Sequence, residues 1–240
     1  MLTDILARVA DTEDFEDAVD CLSNEYFFYG GSSYYEDGET SVFNPEALNR
    51  FIAHHSCMWE NGASKVCLCF SDYVLKTSFV AEVVHNDWND KTKEWEQEFR
   101  SLEDVDYCEV EYKVYQAAKK KGLEKFFAEI MRIEDSPVYI QEAFEESLDD
   151  RWDSSISDEI RERVVNIQND DPLYQLSLRV SDETLMVLIN QNTEEDLVAL
   201  GEFLDRFDIN DLHEGNSGWF HGRLKFIDYC GYGSITSEVV

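Results

Sequence analysis

Ile209-Asn210-Asp211-Leu212-His213-Glu214-Gly215-Asn216-Ser217-Gly218, continued by Trp219 to Lys225 and by Phe226-Ile227-Asp228-Tyr229-Cys230-Gly231, decides how this chain is read. Leu197, Leu200, Leu204 and Phe207 recur at three- and four-residue spacing ahead of it, which predicts an amphipathic helix over Glu194 to Phe207. Asp, His and Asn then favour a turn. A five-residue loop can bring the side chains of Asp211 and Asn216 to one cleft. The segment Trp219 to Ile227 reads as a hairpin turning at His221-Gly222, which returns Asp228 to that cleft. An Asp and an Asn five residues apart carry no weight alone, since both populate turns. The whole array, with Leu212, His213, Gly215, Gly218 and the apolar run before Asp228, is far more specific.

Working outward, Leu2 to Val9 and Phe15 to Leu22 read as helices, followed by an aromatic segment from Tyr26 to Tyr35 and a helix from Pro45 to about His55. From Met58 the pattern becomes β-rich: Lys65 to Phe70, then Tyr73 to Val84, divided by Ser71-Asp72. The polar stretch Asn86 to Asp106, holding Trp88, Trp95 and Phe99, is expected to be an inserted helix. A further helix runs to Lys119-Lys120-Lys121-Gly122, where positive charge and glycine suit a C-terminus. Lys125 to Ile133 and Pro137 to Phe144 read as strands, Glu145 to Asp153 as an acidic connector, and Ile156 to Ile167 as a helix. Gln168 to Gln191 can be read as strands or as a short helix.

The segment from Asp211 to Asp228 resembles the catalytic and metal-binding segments of the protein-kinase-like superfamily, in which Asp, four residues and Asn precede a short hairpin and an apolar strand ending in Asp. Tyr73-Val74-Leu75-Lys76 resembles the third-strand lysine segment of protein kinases. The resemblance covers about residues 58 to 231 and is most similar to the small early protein kinases of tailed bacteriophages. It implies an α+β, two-lobed protein-kinase-like fold: an N-terminal helical extension over residues 1–56, a β-rich N-lobe over 57–145 and a minimal helical C-lobe over 146–240. It also implies an ATP- and Mg²⁺-dependent Ser/Thr kinase, with ATP and Mg²⁺ as cofactors. Asp211 would orient the attacking hydroxyl or take its proton, and Asn216 and Asp228 would hold the metal. Lys76 would meet the α- and β-phosphates, oriented by Glu111, with Glu109 as the second candidate for that role. Gly62, Ala63 and Ser64 occupy the place of the phosphate-covering loop; Gly30-Gly31 is a rival richer in glycine but more than forty residues before Lys76.

Four departures qualify the resemblance. Ile209 stands where kinases usually carry His, and Asn210 replaces the Arg that reads a phosphorylated activation loop, so control by loop phosphorylation is not expected. Asp228 is followed by Tyr229-Cys230-Gly231, with the glycine one position late. Only twelve residues follow Asp228, too few for an activation segment and the helices that bind a peptide. Small-molecule kinases of the aminoglycoside and choline type share a similar segment and stay open as an alternative.

Acidic residues number 52 against 20 basic ones, a formal net charge of −32 over 240 residues, so the surface field is strongly negative. It disfavours direct nucleic-acid or anionic-membrane binding and favours basic partners. Hence the expected protein substrate or target is a basic host protein, and a non-enzymatic alternative is an acidic interaction protein, a pseudokinase or DNA mimic that captures a nucleic-acid-binding or defence protein. Six Cys without a CxxC pair, and an acidic rather than basic-apolar start, point to a cytoplasmic setting. Cys67 and Cys69 share one face of a strand and read as structural. His54-His55 reads as a surface pair. The oligomeric state is not legible.

Overall fold

The computed structural model describes residues 2–24, 28–29, 42–43, 45–61, 64–79, 81–89, 91, 94–101, 106–148, 156–210 and 212–229. It is an α+β protein whose chain divides into two compact units, Met1–Glu109 with Ile130–Ala143, and Val110–Glu129 with Phe144–Val240. No described helix is long and apolar enough to cross a membrane.

The first unit holds α1 (Leu2–Val9), α2 (Glu13–Asn24), β1 (Phe28–Tyr29), β2 (Val42–Phe43), α3 (Pro45–Ile52), β3 (Met58–Asn61), β4 (Lys65–Cys69), β5 (Tyr73–Ser78), β6 (Ala81–Asn89), β7 (Glu94–Ser101) and the start of α4 (Tyr107–Lys120). β8 (Ile130–Arg132) and β9 (Tyr139–Glu142) complete it. Its five-stranded antiparallel sheet has the order β3-β4-β5-β9-β8, and a second sheet has the order β2-β1-β6-β7.

Alternation on β4 shows why the first sheet forms. Val66 and Leu68 are buried on one face, with Cys67 and Cys69 half-buried on the other. Val66 and Leu68 join a core with Leu75, Val138 and Ile140 and with Leu2, Ile5, Phe15 and Leu22 of α1 and α2. The helices read as an N-terminal extension thus share the sheet's hydrophobic core. Burial, followed by the charge of Glu60, pushes the Cys69 thiol up to about 12, which keeps it protonated and structural. His55 stacks on Phe51 with ring centroids 4.1 Å apart, and its Nδ1 lies 2.8 Å from Asp14 Oδ1.

The expected helix over Asn86 to Asp106 is corrected: β6 and β7 pair antiparallel there, with Trp88 opposite Trp95 and Val83 opposite Phe99. The four-residue spacing of Trp95 and Phe99 fits a helical turn and also two periods of a strand, and the glutamates between them carry helix propensity. Pairing with β6 decides the outcome. The strand expected over Lys125 to Ile133 is shortened to β8, with Glu124–Phe126 forming a 3₁₀ turn.

The second unit continues α4 and contains β10 (Glu146–Ser147), α5 (Asp158–Val165), α6 (Tyr174–Ser177), α7 (Asp182–Gln191), α8 (Glu194–Arg206), β11 (Ser217–Phe220) and β12 (Arg223–Phe226). The alternating Leu176, Leu178 and Val180 resolve as α6 and its exit. α4 stops as its sequence dictates: Gly122 takes φ 73°, Leu123 N–H donates to Ala118 and Gly122 N–H to Lys119. β11 and β12 meet at His221 and Gly222, both left-handed with φ 51° and 77°, a two-residue type I′ connection. Phe127, Phe203, Phe226 and Tyr229 are buried together beneath this hairpin.

Arg163 grips Asp171 with two nitrogens, one of them 2.8 Å from Oδ1, after α5. The Arg163 hydrogen bond, aided by the Leu173 amide, holds the Asp171 carboxyl below the usual carboxylate range. A lowered folded-state value means that this stabilisation is complete above the unfolded value of about 4 and fades as pH falls through the folded one. Arg163→Ala should therefore raise the pH of acid unfolding, followed by circular dichroism; an unchanged midpoint would count against the pair's contribution.

Candidate active site

The segment that carries the sequence argument is held by its own backbone. α8 ends with Asp208 in the left-handed region at φ 49°; Ile209 N–H returns to Leu204 at 2.9 Å and Asp208 N–H to Asp205 at 3.2 Å. Ile209 and Leu212 then turn inward, each 1% exposed, and anchor the loop to the core. That apolar anchoring explains why Ile occupies position 209. His213 shapes the next turn: its Nδ1 accepts Gly215 N–H at 3.0 Å, and its carbonyl accepts Asn216 N–H and the Ser217 hydroxyl, both at 3.0 Å. The His213 ring is thus a structural hydrogen-bonding group. Glu214–Asn216 forms a 3₁₀ turn that passes directly into β11.

Asn216 and Asp228 are linked through the hairpin. Ile227 N–H donates to the Asn216 carbonyl at 3.0 Å, one residue before Asp228. Tyr229 N–H, one residue after it, donates to Glu111 Oε1 at 3.4 Å. Glu111, on α4, is fully buried, as is Tyr229, whose hydroxyl donates to Ala128 O at 2.9 Å. Ala128 N–H in turn donates to Phe226 O at 2.8 Å. The aspartate therefore stands between two backbone bonds, one tied to Asn216 and one to Glu111. Gly218 has its own reason: a Cβ there would lie 2.6 Å from Phe144 Cβ, so β11 admits no side chain at that position.

No protein-family model, curated protein or solved structure matches this chain.

Glu111, Asn216 and Asp228 lie in the second unit, as described above. Lys76 lies in the first, on β5, opposite Cys67 of β4 and Tyr139 of β9, and is 4% exposed. A charge buried that deeply needs compensation by polar or ionic neighbours. Ser64 is buried, and its carbonyl accepts Phe79 N–H at 2.9 Å. Asp211, Gly62, Ala63, Gly30 and Gly31 lie outside the described residues. The two helical glutamates have separate employments: Glu109 bonds the Tyr139 hydroxyl and approaches Arg132 at 3.8 Å, whereas Glu111 accepts from Tyr229.

Among the described residues no three His, Cys, Asp or Glu side chains form a group that could hold a metal. The donor chemistry of Asn216 and Asp228, one amide and one carboxylate oxygen, does fit Mg²⁺, which binds through one or two carboxylates and fills its shell with water and phosphate oxygens.

Three residues of the loop's support escape a reading by motif. Arg179 Nη1 and Nη2 bond Asp208 and Asp205 at 2.8 and 2.6 Å. The Ser181 hydroxyl donates to Glu214 Oε1 at 2.6 Å. Burial raises the Glu214 carboxyl, but hydrogen bonds led by Ser181 outweigh it, so the group sits below its ordinary value. Ser181 was findable as a helix start, because Ser before Asp182-Glu183 and an apolar run is an N-cap signature. Its bond to Glu214, 33 residues away, has no sequence signal.

Proposed function

We propose that this protein is an ATP- and Mg²⁺-dependent phosphotransferase with a two-lobed protein-kinase-like architecture, which acts on Ser/Thr hydroxyls of basic host proteins or autophosphorylates and binds them. The observation that carries the reading is the pair of bonds donated by the backbone amides on either side of Asp228, Ile227 N–H to the Asn216 carbonyl and Tyr229 N–H to the Glu111 carboxylate. They give the Asn-hairpin-Asp part of the pattern a coherent local geometry. The first extends the β11–β12 ladder by one rung, and the second ties the end of the hairpin to α4.

In this scheme Asn216 and Asp228 hold Mg²⁺, which compensates the charge of the nucleotide phosphates. Lys76 is assigned to the α- and β-phosphates, and Gly62, Ala63 and Ser64 to the loop that covers them. Glu111 keeps the Asp228 strand end in place. The substrate hydroxyl oxygen bonds the γ-phosphorus as the bond from that phosphorus to the β,γ-bridging oxygen breaks. ADP leaves with that oxygen, and Asp211 takes the hydroxyl proton. The formal charge of −32 draws basic substrates, chiefly through the encounter rate. A cytoplasmic setting is part of the same proposal.

The same charge favours a second reading, an acidic interaction protein that captures a basic nucleic-acid-binding or defence protein without turnover. Incubation of the purified chain with γ-labelled ATP and Mg²⁺, with and without histone, separates the two. Label transfer by the wild type and its loss in a folded Asp211→Ala variant are expected; full transfer by that variant would sink the assignment. A small-molecule kinase would instead label an aminoglycoside or choline acceptor and leave histone unlabelled.

A further inference from the structure

The α6–α7 junction touches the Asp208–Asn216 segment at both of its ends. At the entry, Arg179 bonds Asp205, in the last turn of α8, and Asp208, just past its C-cap. Between the ends, Val180 and Leu212 form a parallel bridge in which Leu212 N–H approaches Arg179 O at 3.4 Å and Ser181 N–H donates to Leu212 O at 3.2 Å. At the exit, Ser181 Oγ donates to Glu214 Oε1, on the 3₁₀ turn that carries Asn216. Three consecutive residues thus contribute two side-chain clasps and a backbone bridge to one loop. Arg179 and Ser181 are half-buried, whereas Asp205 and Asp208 keep much of their carboxylate surface in water.

Local cap formation explains only part of this. Ser181 already serves α7 as its N-cap, accepting Thr184 N–H at 3.3 Å, and that duty needs its oxygen lone pair alone. Its hydroxyl oxygen also lies 3.0 Å from Thr184 Oγ1, which can donate to it, whereas Glu214, 33 residues away in sequence, can only accept and so takes the Ser181 proton. Arg179 likewise spans two carboxylates with separate nitrogens, a fork that a lysine cannot reproduce.

We propose that Arg179, Ser181 and Glu214 are positioning residues that clamp the Asp208–Asn216 loop, with the Ser181–Glu214 bond fixing the turn that presents Asn216. The proposal rests on the phosphotransferase reading for its functional meaning, and on the hydrogen bonds alone for its structural content. It gives the loop an internal support that calls on no residue beyond Asp228.

Full-length Ser181→Asp and Ser181→Thr separate the clamp from the cap. Aspartate keeps an N-cap acceptor for α7 but offers no hydroxyl proton and sets a like charge against Glu214; threonine keeps both functions. Hydrogen exchange resolved by mass spectrometry, without nucleotide, should show the Asn216 and Ile227 amides exchanging at least about tenfold faster in Ser181→Asp, with α7 and α8 unchanged. Ser181→Thr should match the wild type. In the transfer assay Ser181→Asp should raise the Mg²⁺ concentration for half-maximal labelling by about tenfold or more. Unchanged exchange at Asn216 and Ile227, or acceleration spread equally over α7 and α8, overturns the proposal. A wild type that transfers no phosphate refutes the kinase reading, while the exchange data still decide whether the clamp exists.

Discussion

Glu111→Ala is expected to lower phosphate transfer by about two orders of magnitude, because it frees the strand end that carries Asp228, and displacement of a reacting group by about 1 Å costs a factor of that size. The substitution removes the acceptor of Tyr229 N–H, a backbone donor flanked by a fully buried side chain. A buried donor left without a partner costs about 1–3 kcal/mol. Glu111→Gln keeps a carbonyl oxygen for the amide and discards the charge, so it should recover most of that stability. Comparison of the two variants divides the residue's contribution into a hydrogen-bonding part and an electrostatic part. Steady-state labelling beside urea denaturation measures both, and wild-type turnover in Glu111→Ala would remove this residue from the site.

Phe127→Ala should be among the most destabilising single changes in the second unit. The ring is fully buried, with its centroid 5.0 Å from that of Tyr229 and 5.7 Å from those of Phe203 and Phe226. Truncation of a buried phenylalanine costs about 3–5 kcal/mol, a large share of the roughly 5–15 kcal/mol that stabilises a typical domain. The cavity would open beneath Phe226 and Tyr229, on either side of Asp228, so transfer should fail at temperatures where the wild type still works. Val165→Ala is the control: Val165 is 74% exposed, and its truncation should change stability by no more than about 0.5 kcal/mol. Denaturant midpoints for the pair test the contrast, and equal midpoints would show that the aromatic cluster is not the core of this unit.

What could be read from the sequence follows the range of the interaction concerned. The helices Leu2–Val9 and Glu194–Arg206 are visible in apolar spacing, and the His221-Gly222 turn in local backbone preference. Each of these depends on neighbours a few residues away. β7 and the end of β6 beyond Val84 were not legible, since Trp95 and Phe99 satisfy two periodicities and only the partner strand chooses between them. The same holds at the site. Asn216 and Asp228 are recognisable as an oxygen-donor pattern, whereas the bonds that order them come from Glu111, 118 residues before Tyr229, and from Ser181, 33 residues before Glu214. Glu109 and Glu111 are alike in sequence and part only in three dimensions, one toward Tyr139 and the other toward Tyr229.

The central claim is that Asp228 and Asn216 belong to a Mg²⁺–nucleotide site, and calorimetric titration of ATP into the wild type and Asp228→Ala, with and without Mg²⁺, tests it most directly. Saturable binding that requires Mg²⁺ and weakens by about tenfold or more in the variant is the predicted result. No binding to the wild type, or binding indifferent to both the metal and the substitution, would contradict it.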